Sequence, residues 1–179
     1  MNNLAVTYSC QGQYEEALEL ELKVLDLHTK VLGPEHPETL TSMNNLAVTY
    51  SKQGKYEKAG ELQVNVLDLH KKILGAEHPN TLTSMANLAD TYSYQGKCVE
   101  AGELKLMLLD LHQKVLGPEH PDTLTTMGNL AVTYRDQGKY EEAEELELKV
   151  LDLSQKVLGP EHPDTFTSME NLARTYSDQ

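Results

Sequence analysis

The sequence predicts an all-α array of antiparallel helix pairs, on three observations. LGPEHP stands at Leu32–Pro37, Leu116–Pro121 and Leu158–Pro163, with LGAEHP at Leu74–Pro79, so the chain repeats itself every 42 residues. Within each copy apolar residues recur at intervals of three and four, the spacing of one helix face. Glycine and proline fall at fixed offsets between these runs and punctuate them. A period of this length marks stacked supersecondary units, none able to bury its apolar face alone.

The first helix of a unit, helix A, is clearest at residues 39–53, where Leu40, Met43, Leu46, Ala47 and Tyr50 form one stripe. Pro37 occupies a first-turn position, Glu38 suits the positive end of the helix dipole, and His36 or Thr39 supplies the cap. Gly54 ends the helix. Helix B follows from Lys55 to Leu74, with Tyr56, Ala59, Leu62, Val66, Leu67, Leu69, Ile73 and Leu74 apolar. These cover more than one stripe, as packing on both helix A and the next unit requires. Gly75 closes helix B, and Pro79 follows. The A–B turn is about three residues, which permits only an antiparallel hairpin.

Shifting by the period places helices near 1–11, 14–32, 37–53, 56–74, 79–95, 98–116, 121–137, 140–158 and 163–178. We read residues 1–179 as a single array, with units near 1–33, 34–75, 76–117 and 118–159 and a terminal helix at 160–179. Met1 aligns with Met43, so the opening helix A lacks at least its first turn, and residues 163–179 are a helix A without its B. Neither end carries the polar face that caps an array. The expectation is a piece of a longer array, a truncated product or a consensus design, with end faces that fray or associate as homo-oligomers.

A net charge of −13 and a pI near 4.9, with no run of Lys or Arg, exclude a phosphate-binding face and hence nucleic acid. No apolar run approaches the ~20 residues of a membrane span. Cys10 and Cys98 lie two units apart, too far for a bridge that needs Cα atoms within about 7 Å. A reducing, cytoplasmic setting follows.

LAxTYxxQG in helix A and GKYEEA or GKYEKA opening helix B put Leu46, Ala47, Tyr50, Gly54, Tyr56 and Ala59 at the signature positions of tetratricopeptide repeats. The 42-residue period, the LGPEHP linker and NNLA at Asn44–Ala47 narrow the match. The chain resembles the tetratricopeptide array of kinesin light chains and similar arrays attached to nucleotide-binding immune-type receptors. The resemblance implies a right-handed α-solenoid with helices A lining a concave groove for peptides or partner proteins. In kinesin light chains, helix A asparagines and nearby basic residues hold an extended cargo peptide rich in acidic residues around a tryptophan. The asparagine before the LA pair recurs here at Asn3, Asn45, Asn87, Asn129 and Asn171, whereas the preceding one survives only at Asn2 and Asn44.

Helical geometry gives a matching set of groove candidates. At 100° per residue the face opposite the core stripe holds Thr41, Asn44, Val48, Ser51 and Lys52, with Asn45 at its flank. Between units the stripe hardly changes. The far face does: Asn44, Ala86, Gly128, Glu170 at one position, Val48, Asp90, Val132, Arg174 at the next, and Cys10, Lys52, Tyr94, Asp136, Asp178 at the last. A diversified binding surface and free drift of solvent-facing positions both produce this pattern. Asparagine is a poor helix former, so its recurrence calls for a reason: contact with a peptide main chain, or hydrogen bonds that fix neighbouring helices. Lys52, Arg135 and Arg174 stand against Asp90, Asp136, Glu170 and Asp178, a mixed charge that does not carry over a preference for acidic peptides. Tyr94 is the one aromatic on the face and the first choice as an anchor.

No catalytic or cofactor chemistry is legible. His36, His78, His120 and His162 are separated by at least a helix width, as are His28, His70 and His112, so no two share a metal. The first set reads as turn or cap structure and the second as partly buried between helices. No GxxxxGK[ST], GxSxG, HExxH or CxxC occurs. Cys98, at the Tyr56-type position, reads as a small core residue with some cavity beside it. The sequence therefore describes a non-catalytic scaffold that binds an extended peptide or a partner helix along helices A. The alternative is a structural, self-associating spacer or sensor array of a larger receptor.

Overall fold

A computed structural model describes residues 5, 7–9 and 11–179. Among them the secondary structure is helix and turn alone: α1 Tyr14–Leu32, α2 Pro37–Lys52, α3 Tyr56–Leu74, α4 Pro79–Tyr94, α5 Cys98–Val115, α6 Pro121–Asp136, α7 Tyr140–Val157 and α8 Pro163–Asp178. Each expected helix that falls wholly within the described residues is present to within a residue of its ends. The chain divides into two compact units, Met1–Gln95 and Gly96–Gln179. In the first, α1 to α4 pack each on the next; in the second, α5 to α8 do the same, and α6 also touches α8.

The linker residues explain why helices A start where they do. His36 is extended (φ −71°, ψ 140°), as a residue before proline must be, and its Nδ1 accepts the Glu38 N–H at 3.2 Å. His78, His120 and His162 repeat this cap. Of the two cap candidates, histidine holds the position. Thr39 instead donates its hydroxyl to the Gly33 carbonyl at 2.8 Å, tying the end of one helix B to the start of the next helix A. Thr81, Thr123 and Thr165 do likewise.

Helix A closes on a Schellman motif: the Lys55 N–H reaches the Tyr50 carbonyl and the Gly54 N–H the Ser51 carbonyl, both at 2.9 Å, with Gly54 at φ 75°. Helix B closes differently. Gly75 adopts φ 92° and ψ 165°, a region essentially restricted to glycine.

The core departs from an apolar stripe. Leu40, Leu46 and Ala47 are buried, but so are the hydroxyl residues Thr39, Ser42 and Thr49, while Met43 and Tyr50 are half-buried. In α3, Ala59, Val66 and Leu67 are buried, yet Leu62, Leu69 and Leu74 are only half-buried and Ile73 is exposed. Gly60 and Gln63 hold buried positions in their stead. In the second unit Leu109, Met127, Leu130 and Val150 cluster, with Tyr134 and Leu146 against them. Cys98 is a half-buried free thiol, and its carbonyl accepts from Gln137 Nε2 at 2.6 Å. Cys10 lies outside the described residues.

Candidate functional site

Two clefts occupy equivalent places, one in each unit. The first, about 310 Å³, lies between α2 and α4 and is lined by Leu40, Thr41, Asn44, His70, Asn80 and Ser84 among others. The second, about 210 Å³, lies between α6 and α8. Its lining includes Leu124, Thr125, Gly128, Ser154, Asp164 and Ser168, the residues two periods on from those six. Both are lined by residues of two successive helices A, the first including Asn44 and Asn80 and the second the recurring Asn129 and Asn171.

The first cleft is bridged. Asn87 Nδ2 donates to Asn44 Oδ1 at 3.1 Å, joining α4 to α2 at the Asn44 edge of the lining. His70 fills its inner end, with Nδ1 2.8 Å from Ser84 Oγ. Because Ser84 gives its own proton to the Asn80 carbonyl at 2.9 Å, the hydrogen of this contact sits on His70 Nδ1. Burial pushes the His70 pKa down, so the ring is neutral at physiological pH. His28 with Ser42, and His112 with Thr126, make the same contact at 2.9 Å.

The second cleft is not bridged and reaches deeper. Gly128 offers Asn171 no amide, and Ser154, buried, stands where His70 stands in the first. The lining extends down to Val150 and Glu147 on α7, whereas that of the first cleft includes neither equivalent residue of α3, Gln63 or Val66.

Glu147 belongs to a buried polar position that recurs in every helix B: Glu21, Gln63, Lys105 and Glu147. Thr49 donates to Glu21 Oε1 at 3.0 Å, and Lys105 Nζ donates to Thr133 Oγ1 at 2.9 Å. Glu147, 2% exposed, has no hydrogen bond at either carboxylate oxygen. The Thr175 hydroxyl, itself buried, and Arg135 both draw its pKa down. Desolvation outweighs both and holds the Glu147 pKa above the usual carboxylate value. Glu21 is raised for the same reason.

The expected groove residues divide. Val48, Asn44, Asn45 and Asn87 are half-buried, and Asn129, Lys52, Asp90 and Arg174 are exposed. Asn3 lies outside the described residues. For Asn87 a helix-fixing hydrogen bond is present, to Asn44 and not to another asparagine of its own series. Lys52 Nζ lies 3.4 Å from Ser9 Oγ. Tyr94 is 66% exposed but stacks on Tyr56, ring centroids 5.2 Å apart, at the start of α3. Arg135 corrects the solvent-facing expectation: its side chain is 7% exposed, 3.7 Å from both Glu147 and Asp178, with Nη1 3.4 Å from the Asn171 carbonyl. At this position Ser51 and Ser93 are small. The long arginine stem folds inward because two carboxylates draw its head across.

Sequence reasoning missed the buried Glu21, Gln63, Lys105 and Glu147 because it counted apolar residues. The signal available was register: in every helix B this polar residue stands four after the signature alanine and three before a buried apolar residue, on the core stripe itself.

Among the described residues no helix is long and apolar enough to cross a membrane, and no group of three or more His, Cys, Asp or Glu side chains could hold a metal ion.

The tetratricopeptide-repeat family profile matches residues 1–62, 46–105 and 123–164. The chain belongs to the tetratricopeptide-repeat family. Its structural neighbours include a Podosopora anserina kinesin light chain candidate with nearly identical TPR-like repeats, at 37% identity and TM-score 0.91, over 99% of this chain and 84% of that one. A single-substitution form of that protein aligns equally well. BtubC (BKLC) from P. vanneervenii, at 22% identity and TM-score 0.85 over 98% of this chain and 70% of that one, shares the fold. No curated protein matches the chain significantly. The chain is thus a kinesin light chain-like helical-repeat protein, of a class that mediates protein–protein interaction.

Proposed function

We propose that the chain is a non-catalytic scaffold that holds an extended peptide along helices A, each cleft serving as a side-chain pocket within its own unit. The recurrence of a cleft at the same place in both units, beside helix A asparagines, carries this reading. An extended peptide presents side chains that a cleft can take and main-chain groups that asparagine amides can pair. The partner in this reading is a protein or peptide and not nucleic acid, given the net charge of −13. A cytoplasmic setting belongs to the same proposal and rests on the cysteine pattern alone.

The test is fluorescence polarisation against a library of labelled extended peptides. Replacing Asn45, Asn87 and Asn129 together by Ala is expected to weaken the best binder at least tenfold with the helical circular-dichroism signal intact. Unchanged affinity removes the groove reading.

A second reading has an observation of its own. On α8, Phe166, Met169 and Tyr176 are exposed. Self-association through this face gives concentration-dependent oligomers in sedimentation velocity that F166E abolishes; a monomer at all concentrations contradicts it.

A further inference from the structure

We propose that the cleft between α2 and α4 is a pocket for one neutral amide side chain, a glutamine of an extended peptide, whose carboxamide donates to His70 Nε2 and accepts from the Nε2–H of His78. The proposal rests on the groove reading and names the chemistry that one of its pockets selects.

Two imidazoles line this cleft, and their surroundings hold them in opposite tautomers. The His70 Nδ1 proton goes to Ser84 Oγ at 2.8 Å, because the Ser84 hydroxyl is spent on the Asn80 carbonyl, so Nε2 is left with a bare lone pair. His78 is the reverse. Its Nδ1 accepts the Asn80 N–H at 3.2 Å, so its proton sits on Nε2. Both residues are half-buried, but neither Nε2 is a buried atom, and neither has a hydrogen-bond partner among the described residues. The rings are near neighbours: burial pushes the His70 pKa down first, and the charge that His78 can carry pushes it down further.

A ligand for this pair must carry a donor and an acceptor. A carboxamide carries them on separate atoms, as two separate rings require. A carboxylate only accepts and an ammonium only donates, so each leaves one imidazole facing a like group and gives up hydration without a free counter-charge. Glu35, the charged residue of the lining, is already paired with Lys72 at 2.6 Å. Leu40, Ile73 and Leu74 on the same lining suit the methylene stem of a glutamine. The second cleft does not have this pair: Ser154 stands in place of His70, and its lining does not include His162, the counterpart of His78. The fold therefore does not need an imidazole at the His70 position.

The probe is a set of nine-residue labelled peptides, uncharged and of fixed sequence except for a central Gln, Glu, Lys or Met, titrated by fluorescence polarisation. We expect the Gln peptide to bind at least about tenfold more tightly than each of the other three, because only it satisfies both rings. His70→Ser, which copies Ser154 and so retains the fold, brings Gln and Met to within about twofold. Nitrogen NMR of the imidazole rings in the unaltered protein gives a measurement that does not depend on the variant. The His70 Nε2 signal should be that of an unprotonated nitrogen, and should move on binding the Gln peptide but not the Met peptide. A proton found on His70 Nε2, Gln and Met peptides that bind equally, or discrimination that survives in a folded His70→Ser overturns the pocket and leaves the groove standing. Failure of all four to bind, while other library peptides bind and respond to the asparagine substitutions, also overturns the pocket alone; failure of the whole library overturns both.

Discussion

The two clefts share a frame and differ in their furnishing. Around each, the same histidine cap, the same threonine clasp and the same leucine and alanine core hold successive helices A in place. Inside, one is bridged by Asn44 and Asn87 and ended by a neutral His70, while the other is open at Gly128 and floored by Glu147. The frame is therefore what the copies share, and the clefts differ at the few positions where the copies part.

The largest effects test the shared frame. Leu46→Ala and Leu130→Ala remove equivalent buried side chains, and each is expected to cost about 2–5 kcal/mol in urea unfolding. A cost confined to one of them breaks the claim of a common frame. Arg135→Ala comes next, because it leaves Glu147 buried beside no cation. We expect a loss of about 2–3 kcal/mol, below the range for a fully hydrogen-bonded buried pair, and its partial recovery when Glu147→Gln is added. If the double variant is no more stable than the single one, the two side chains do not interact.

The pH dependence sharpens the contrast. Glu147 has a folded pKa above the ordinary 4.5, so between those values the folded chain binds more protons than the unfolded one. Its contribution is fully present below about pH 4.5 and is lost as pH rises through the folded value. Glu21 contributes with the same sign. Glu147→Gln and Glu21→Gln should each flatten that fall, whereas Gln63→Ala should leave its slope unchanged. A slope unaltered by both glutamine variants rules out a raised carboxylate pKa at this position.

The smallest effect is at the surface. Lys72 pairs with Glu35 at 2.6 Å, and Lys156 pairs with Glu119 two periods on; all four groups are well exposed. Lys72→Ala and Lys156→Ala are each expected to leave the urea midpoint unchanged within error, at low salt and at high. A measurable loss at one of them would place specific structure where only the general frame is expected.

Most of the frame was legible in the sequence because the period supplies the register and proline, glycine and histidine mark each end. Pro37 and Gly54 delimit α2 as plainly in the sequence as in space. Thr39 and Thr49 were harder to place, since a threonine is polar by type and a stripe of apolar residues passes over it. Their presence in every complete copy was the available clue to burial. Arg135 could not be placed by helical angle alone: its Cα stands on the expected face, and only Glu147 and Asp178, drawn from two other helices, turn its head inward. The second cleft was equally out of reach. Gly128 and Ser154 read separately as drift, and their common effect appears only when α6, α7 and α8 are brought together.

The most direct test of the account is side-chain amide NMR during titration of the library's tightest-binding peptide. The Asn129 and Asn171 amide signals should shift with the peptide, and Gly128→Asn should suppress those shifts. Shifts confined to the neighbourhood of Leu22, Val64, Leu106 and Leu148, exposed along helices B, would place the binding surface elsewhere and contradict the account.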